Sequence, residues 1–277
     1  MGLRIATNVA AINARKNMYN IGNSVERSMA RLSSGYRINQ AADDAAGLAI
    51  SENLKAQIRG LRQASRNASD GISLVQIAEG SLNEVSNMLI RLRELAIQSS
   101  SDTIGDTERK FVDVEYQQLK SEIQRITENT SYNGFELLNG SGGIIDIQVG
   151  VQNDAFEDRI SFNASAANST LEALGLTAES VGSKESAQNS INVVDSALVS
   201  VNAIRANFGA MQNRLASTIN NLGVTDENFS AANSRIRDTD IAAESSELMR
   251  NNILQQAAVS ILSQANSSQQ LALKLLG

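Results

Sequence analysis

Not one of the 277 residues is proline. Average usage of about 5% would place roughly fourteen in a chain this long. Proline removes a backbone N–H and clashes with the preceding turn, so it is the strongest helix breaker. Without it, long uninterrupted helices are allowed. Aromatic residues make up only 4% of the chain, which suits narrow helix–helix seams better than a thick core.

The apolar residues follow helical periods at both ends. Ile5, Val9 and Ile12, then Met18, Ile21, Val25, Met29 and Leu32, recur at threes and fours. A second helix is expected from about Ala46 to Ser100. There Val75, Ala78, Leu82, Val85, Leu89, Leu92 and Ala96 alternate steps of three and four, a sustained heptad seam. After Gly105, a shorter helix carries Val112, Tyr116, Leu119, Ile123 and Ile126 and ends before the turn signal Tyr132-Asn133-Gly134. Val194, Val201, Phe208, Leu215 and Leu222 are spaced by sevens. Leu254, Ala258, Ile261, Ala265, Ala272 and Leu275 form a last seam.

The middle reads differently. Ile145, Ile147, Val149 and Val151 alternate with polar or small residues, as do Ile160 and Phe162 after a polar loop. This predicts a β-hairpin with one apolar face at about 141–165. Residues 163–183 are small and polar, as in a loop at the far tip. The fold class is therefore mainly α: an elongated antiparallel helical bundle or coiled coil with a small β-hairpin region at mid-chain.

With no Cys, disulfides, thiol chemistry and thiolate zinc sites are excluded. With no His, the commonest general base and metal ligand is missing. Net charge is −6, and no basic stripe suits nucleic acid. No apolar run approaches the ~18 residues of a membrane span. The opening MGLRIATNVAAINARKN lacks the apolar stretch and cleavage site of a Sec-type signal. Ala6 stands where myristoylation needs Ser or Thr. Asp43 and Asp44 are adjacent, but neighbours on a helix point about 100° apart, so their carboxylates do not converge. They are expected to cap or start a helix, with Gly35 and Gly47 allowing turns or close approach. No enzyme, cofactor or metal is expected.

At both ends one apolar stripe is too little to offset the ordering of its segment, and pairing the two ends still leaves an apolar flank exposed. The ends are expected to fold as copies of the chain pack together, an ordinary monomeric bundle being the alternative. The expected self-assembly contacts are Ile5, Val9, Ile12, Met18, Ile21, Val25 and Leu32, with Leu254, Ile261, Leu262, Leu271 and Leu275.

Several long stretches carry a family likeness. RIATNVAAINARKNM, LSSGYRINQAADDAAGLAIS, QIRGLRQASRNASDGISLVQIAEGSLNEVSNMLIRLRELAIQSS and the terminal ILQQAAVSILSQAN resemble bacterial flagellin, in the family's order. The likeness covers about residues 1–140 and 185–277. It implies an inner-core terminal helical domain from 1–44 and 226–277. Residues 45–225 would be an outer-core helical rod, and 141–183 leaves no room for outer variable domains. It also implies a structural subunit that self-assembles into an extracellular flagellar filament for motility, after export in unfolded form by the flagellar type III apparatus. The implied partners are many copies of the chain, an export chaperone, a filament cap and hook-associated proteins, with no nucleic acid and no membrane insertion. IRLRELAIQ is similar to the stretch read by the flagellin-sensing Toll-like receptor, which by position implies Arg91, Leu95 and Glu122 as recognition residues. Many relatives have a proline where this chain reads NSSQQLALKLL, and Tyr36 and Ala42 replace commoner residues. Exposed Ser or Thr in 163–183 would be the place for O-linked sugars. A hook–filament junction protein of the same superfamily, or a non-flagellar coiled-coil secreted protein, are the rival readings.

Overall fold

The computed structural model describes residues 7–274. Helices α1 (Val9–Ser34), α2 (Ala45–Ser100) and α3 (Asp106–Asn129) come first. Strands β1 (Ser131–Tyr132), β2 (Phe135–Glu136), β3 (Ile144–Gln148) and β4 (Arg159–Asn163) follow, then a 3-10 turn at Ser165–Ala167. Helices α4 (Lys184–Arg237) and α5 (Ile241–Lys274) complete the chain, which is mainly helical. It divides into two compact units, residues 57–227 and the stretches before 57 and after 227. The expected division ran at 44/45 and 225/226. The structure puts the first three turns of α2 in the terminal unit, where Glu52 pairs with Arg237.

The middle unit is organised by the α2 heptad seam. Val75, Ala78, Leu82, Val85, Leu89, Leu92 and Ala96 are all fully buried. Val194, Val201, Phe208 and Leu215 of α4 are buried as well, and so are Tyr116 and Ile123 of α3. Strands β3 and β4 are antiparallel, with Ile147 opposite Ile160 and Ile145 opposite Phe162. Ile147, Ile160 and Phe162 turn inward, and Phe162 meets Phe208 with ring centroids 5.4 Å apart. Val151 lies beyond the strand and is exposed, so the apolar face ends one alternation earlier than the pattern implied. Gly71 lets the hairpin seat on α2, since an added Cβ would stand 2.6 Å from Ile147 Cδ1. The Tyr132-Asn133-Gly134 turn joins β1 and β2, with φ of +50° at Asn133 and +84° at Gly134, as a two-residue mirror-image turn requires.

Residues 163–183 form an irregular loop, as expected, but one packed against the core. Ala164, Ala167, Leu174, Leu176 and Val181 are buried in the main core. The Val181 amide donates to Asp113 Oδ1 at 2.8 Å, and the Lys120 amine donates to the carbonyls of Thr177 (3.1 Å) and Glu179 (2.7 Å). Burial pushes the Lys120 amine below its ordinary pKa. The segment is a strap tied across α3. Its apolar residues follow no helical or strand period, which hid them in the sequence.

Candidate assembly surface

In the terminal unit, α1 and α5 pack together through small side chains. Ala11, Ala14 and Ser28 of α1 are buried, and so are Asn251, Ala258 and Ala265 of α5. Met18, Ile21, Val25 and Leu32 are half-buried on the same α1 stripe. The stripe Ala11, Ala14, Met18, Ile21, Val25, Ser28, Leu32 keeps alternating steps of three and four. Asn8 caps α1: its Oδ1 accepts from the Ala11 amide at 2.9 Å, while its Nδ2 donates to the Ala265 carbonyl at 3.0 Å. Arg31 meets Glu244 at 3.5 Å near the other end of the pair.

Part of each expected seam lies on this packed face, with Met18, Ile21, Val25 and Leu32 half-buried and Ala258 and Ala265 buried, and part does not. Val9, Ile12 and Met29 are exposed, as are Leu254 and Ile261. Leu262 is half-buried, one residue past Ile261. The reason is steric. Alanine and serine let two helix backbones approach closely, and the larger aliphatic residues one position away are turned outward. Tyr19, Met249, Ile253 and Val259 join the exposed set, with Met249 at 72% and Ile253 at 66%. Ile5, Leu275 and the side chain of Leu271 lie outside the described residues.

A polar clasp joins the two connectors within this unit. α1 ends at Gly35 in the left-handed conformation (φ +74°), with its amide donating to the Arg31 carbonyl. The Arg37 amide donates to the Arg237 carbonyl at 2.6 Å, and the Thr239 amide to the Gly35 carbonyl at 3.0 Å. The Arg237 guanidinium lies 4.8 Å from the Tyr36 ring centroid and pairs with Glu52. That pairing holds the Glu52 carboxyl below the usual carboxylate range. Asp43 and Asp44 are occupied as caps. Asp43 Oδ2 accepts from the Asn39 and Gln40 amides, and Asp44 Oδ1 accepts from the Gly47 amide at 2.9 Å. These bonds hold the loop and start α2. Among the described residues, no group of three or more His, Cys, Asp or Glu is arranged to hold a metal, and no helix is long and apolar enough to cross a membrane.

Arg91 and Leu95 lie one turn apart on α2, and Arg91 and Glu122 each bond to other partners. Leu95 is 1% exposed, packed in the middle core, so it presents no apolar knob to solvent in this conformation. Arg91 donates to Glu94 and, across to α3, to Glu115, each at 2.9 Å. Glu122 accepts instead from Arg125, which lowers its carboxyl pKa. Glu115 is the acid beside Arg91, a partner that only the pairing of α2 with α3 reveals.

Two family descriptions match the chain. "Bacterial flagellin N-terminal helical region" spans residues 5–142, and "Bacterial flagellin C-terminal helical region" spans 191–276. The chain belongs to the flagellin family. The flagellin of Halalkalibacterium halodurans is 46% identical, over 97% of this chain and 98% of its own length. The flagellin of Bacillus subtilis is 40% identical, over 99% and 100% respectively. The flagellar filament core protein flaB2 of Brachyspira hyodysenteriae is also 40% identical, over 98% and 99%. Among solved structures, the crystal structure of Bacillus cereus flagellin superposes with a TM-score of 0.51 at 33% identity, covering 57% of this chain and 88% of that one. A putative flagellar hook-associated protein from Vibrio parahaemolyticus shares the fold, with a TM-score of 0.58 at 15% identity, over 71% of this chain and all of the other. The flagellin matches run through the α2 seam, α3 and α5, the helices that build both units.

Proposed function

We propose that this chain is a structural subunit that self-assembles into the bacterial flagellar filament, a role in motility rather than catalysis. Membership of the flagellin family supports the filament role. The observation that carries the assembly mechanism is the inverted packing of the terminal unit. Among the described residues, ten large apolar side chains are exposed on α1 and α5: Val9, Ile12, Tyr19 and Met29, with Ile241, Met249, Ile253, Leu254, Val259 and Ile261. Burying the exposed half of each contributes roughly 8–15 kcal/mol. Association costs on the order of 4–15 kcal/mol. The two are close, so contact with several neighbouring copies at once is what tips the balance, as in a helical polymer. The terminal unit would be the inner-core domain, ordered by its neighbours.

The finer steps follow from the same reading. Export in unfolded form through the flagellar type III apparatus suits a chain without disulfides. A flagellar export chaperone would cover the outer face of α5 before assembly. A filament cap would guide insertion, and hook-associated proteins would join the filament's ends. Recognition by a Toll-like receptor would use the face that carries Arg91 and Glu122, with Leu95 supporting it from below.

Deletion tests the assembly mechanism. Removing residues 1–20 or 258–277 is expected to leave a folded middle unit, with helical circular dichroism and a cooperative melt, that does not elongate on added filament seeds. Filaments of normal length and number from either truncation would overturn it.

A further inference from the structure

The hairpin in the middle unit has an open edge. β3 and β4 form a sheet of two strands only. The Ala164 amide donates to the Gly143 carbonyl at 2.9 Å, and the Val149 amide to the Asp158 carbonyl at 2.8 Å. In an antiparallel ladder, bonded pairs alternate along the strand. The bonded pairs between these two are therefore 145/162 and 147/160. The backbone N–H and C=O of Ser161 and Asn163 consequently face away from β3. Among the described residues these four groups have no backbone partner. Unpaired edges of this kind are templates for an added strand.

The edge faces a groove rather than open solvent. Ser161 and Asn163 line a cavity of about 360 Å³ between β4 and α4. Its floor is apolar, with Phe162 and Phe208 buried and Met211 half-buried. The α4 wall runs from Ile204 to Arg214, about 15 Å at 1.5 Å per residue. Four extended residues need about 13 Å, so a short strand fits alongside. Arg214 closes one end. It is exposed, and among the described residues its guanidinium has no carboxylate partner.

We infer that this groove binds an extended peptide of another protein as a third strand, with alternate apolar side chains on the Phe162–Phe208 floor and a carboxylate against Arg214. Strand addition between a sheet edge and a helix is an established mode of peptide recognition. The backbone of Ser161 and Asn163 supplies affinity, and the floor and Arg214 supply selectivity. Charge argues against a second copy as occupant. β4 carries the basic Arg159 and no acid, so a symmetric β4–β4 pairing leaves Arg214 without a countercharge.

Fluorescence anisotropy with the dilute full chain tests this, using labelled peptides TVTVE, TVTVK and TPTPE. TVTVE is expected to bind, and TVTVK to bind about tenfold more weakly, the usual scale of one charge-assisted bond. TPTPE keeps the charge but loses both valine side chains and two backbone donors, and is expected not to bind. Ser161→Pro removes an outward N–H without touching the β3 ladder and is expected to abolish binding. Arg214→Ala is expected to erase the preference for glutamate over lysine. Ala210→Trp, on the exposed wall, blocks the groove if the proline variant does not fold. Circular dichroism and melting of the variants used should match the parent. No binding of TVTVE near 1 mM, equal binding of TVTVK, or undiminished binding to Ala210→Trp would overturn the proposal. So would sedimentation showing a dimer that Ser161→Pro dissociates and TVTVE does not.

Discussion

The two units use the same heptad arithmetic to opposite ends. In the middle unit the large residues of the period turn inward, so that Leu82, Leu89 and Leu92 are fully buried against α3 and α4 partners. In the terminal unit the buried period is filled by Ala11, Ala14, Ala258 and Ala265, and the large residues beside it face out. A period of three and four names a stripe on a helix. It does not say whether that stripe meets the chain's own partner or another copy. The size of the side chains on the inner stripe separates a unit that is complete in itself from one that assembly completes.

Variants in the two units should separate sharply. Leu89→Ala in the middle core should cost about 2–5 kcal/mol of unfolding free energy, read by denaturant titration. A loss under 1 kcal/mol would mean the seam is looser than its burial implies. Ala258→Leu overpacks the small-residue seam and should cost about 1–3 kcal/mol, confined to the terminal unit and visible as faster proteolysis of α5. Ile261→Ser should change monomer stability by no more than about 0.5 kcal/mol. Yet it should stop seeded filament growth. Normal growth would place the assembly surface elsewhere.

Titration should divide the units as well. Burial in the middle unit pushes the Tyr116 phenol up to about 12. Its neutral form is what the core accommodates, so its contribution is complete below the ordinary tyrosine value of about 10 and is lost as pH rises towards 12. Absorbance titration should show a late tyrosinate step that Tyr116→Phe removes. In the terminal unit the sign reverses. Arg237 lowers the Glu52 carboxyl, so that contribution is present above the ordinary glutamate value of about 4.3 and is lost as pH falls below it. Glu52→Gln should slightly flatten the acid dependence of proteolysis at the α1–α2 connector. This is the smallest effect, because the carboxylate is exposed and screened.

Much of this was legible in the residues. The missing prolines and the seven-residue spacing from Val194 to Leu222 pointed to long helices, and the alternation around Ile147 and Ile160 to the hairpin. Asp43 and Asp44 could be read as caps, because adjacent carboxylates on a helix diverge. The alanine seam leaves no mark in the pattern of large apolar residues, because Ala11, Ala14 and Ser28 keep the same step with small side chains. The strap at 163–183 leaves none because Leu174, Leu176 and Val181 follow no period, and Glu115 none because its link to Arg91 crosses from one helix to another.

By itself the sequence determined the helices, the hairpin and the family, since helix geometry and turn chemistry act over a few residues and leave their period in the text. Only the tertiary structure decided which stripe of each helix lies inside, how the strap closes over α3, and where the open edge of β4 meets α4. Those outcomes depend on how closely two backbones approach, and that distance is set by pairs of side chains far apart in the chain.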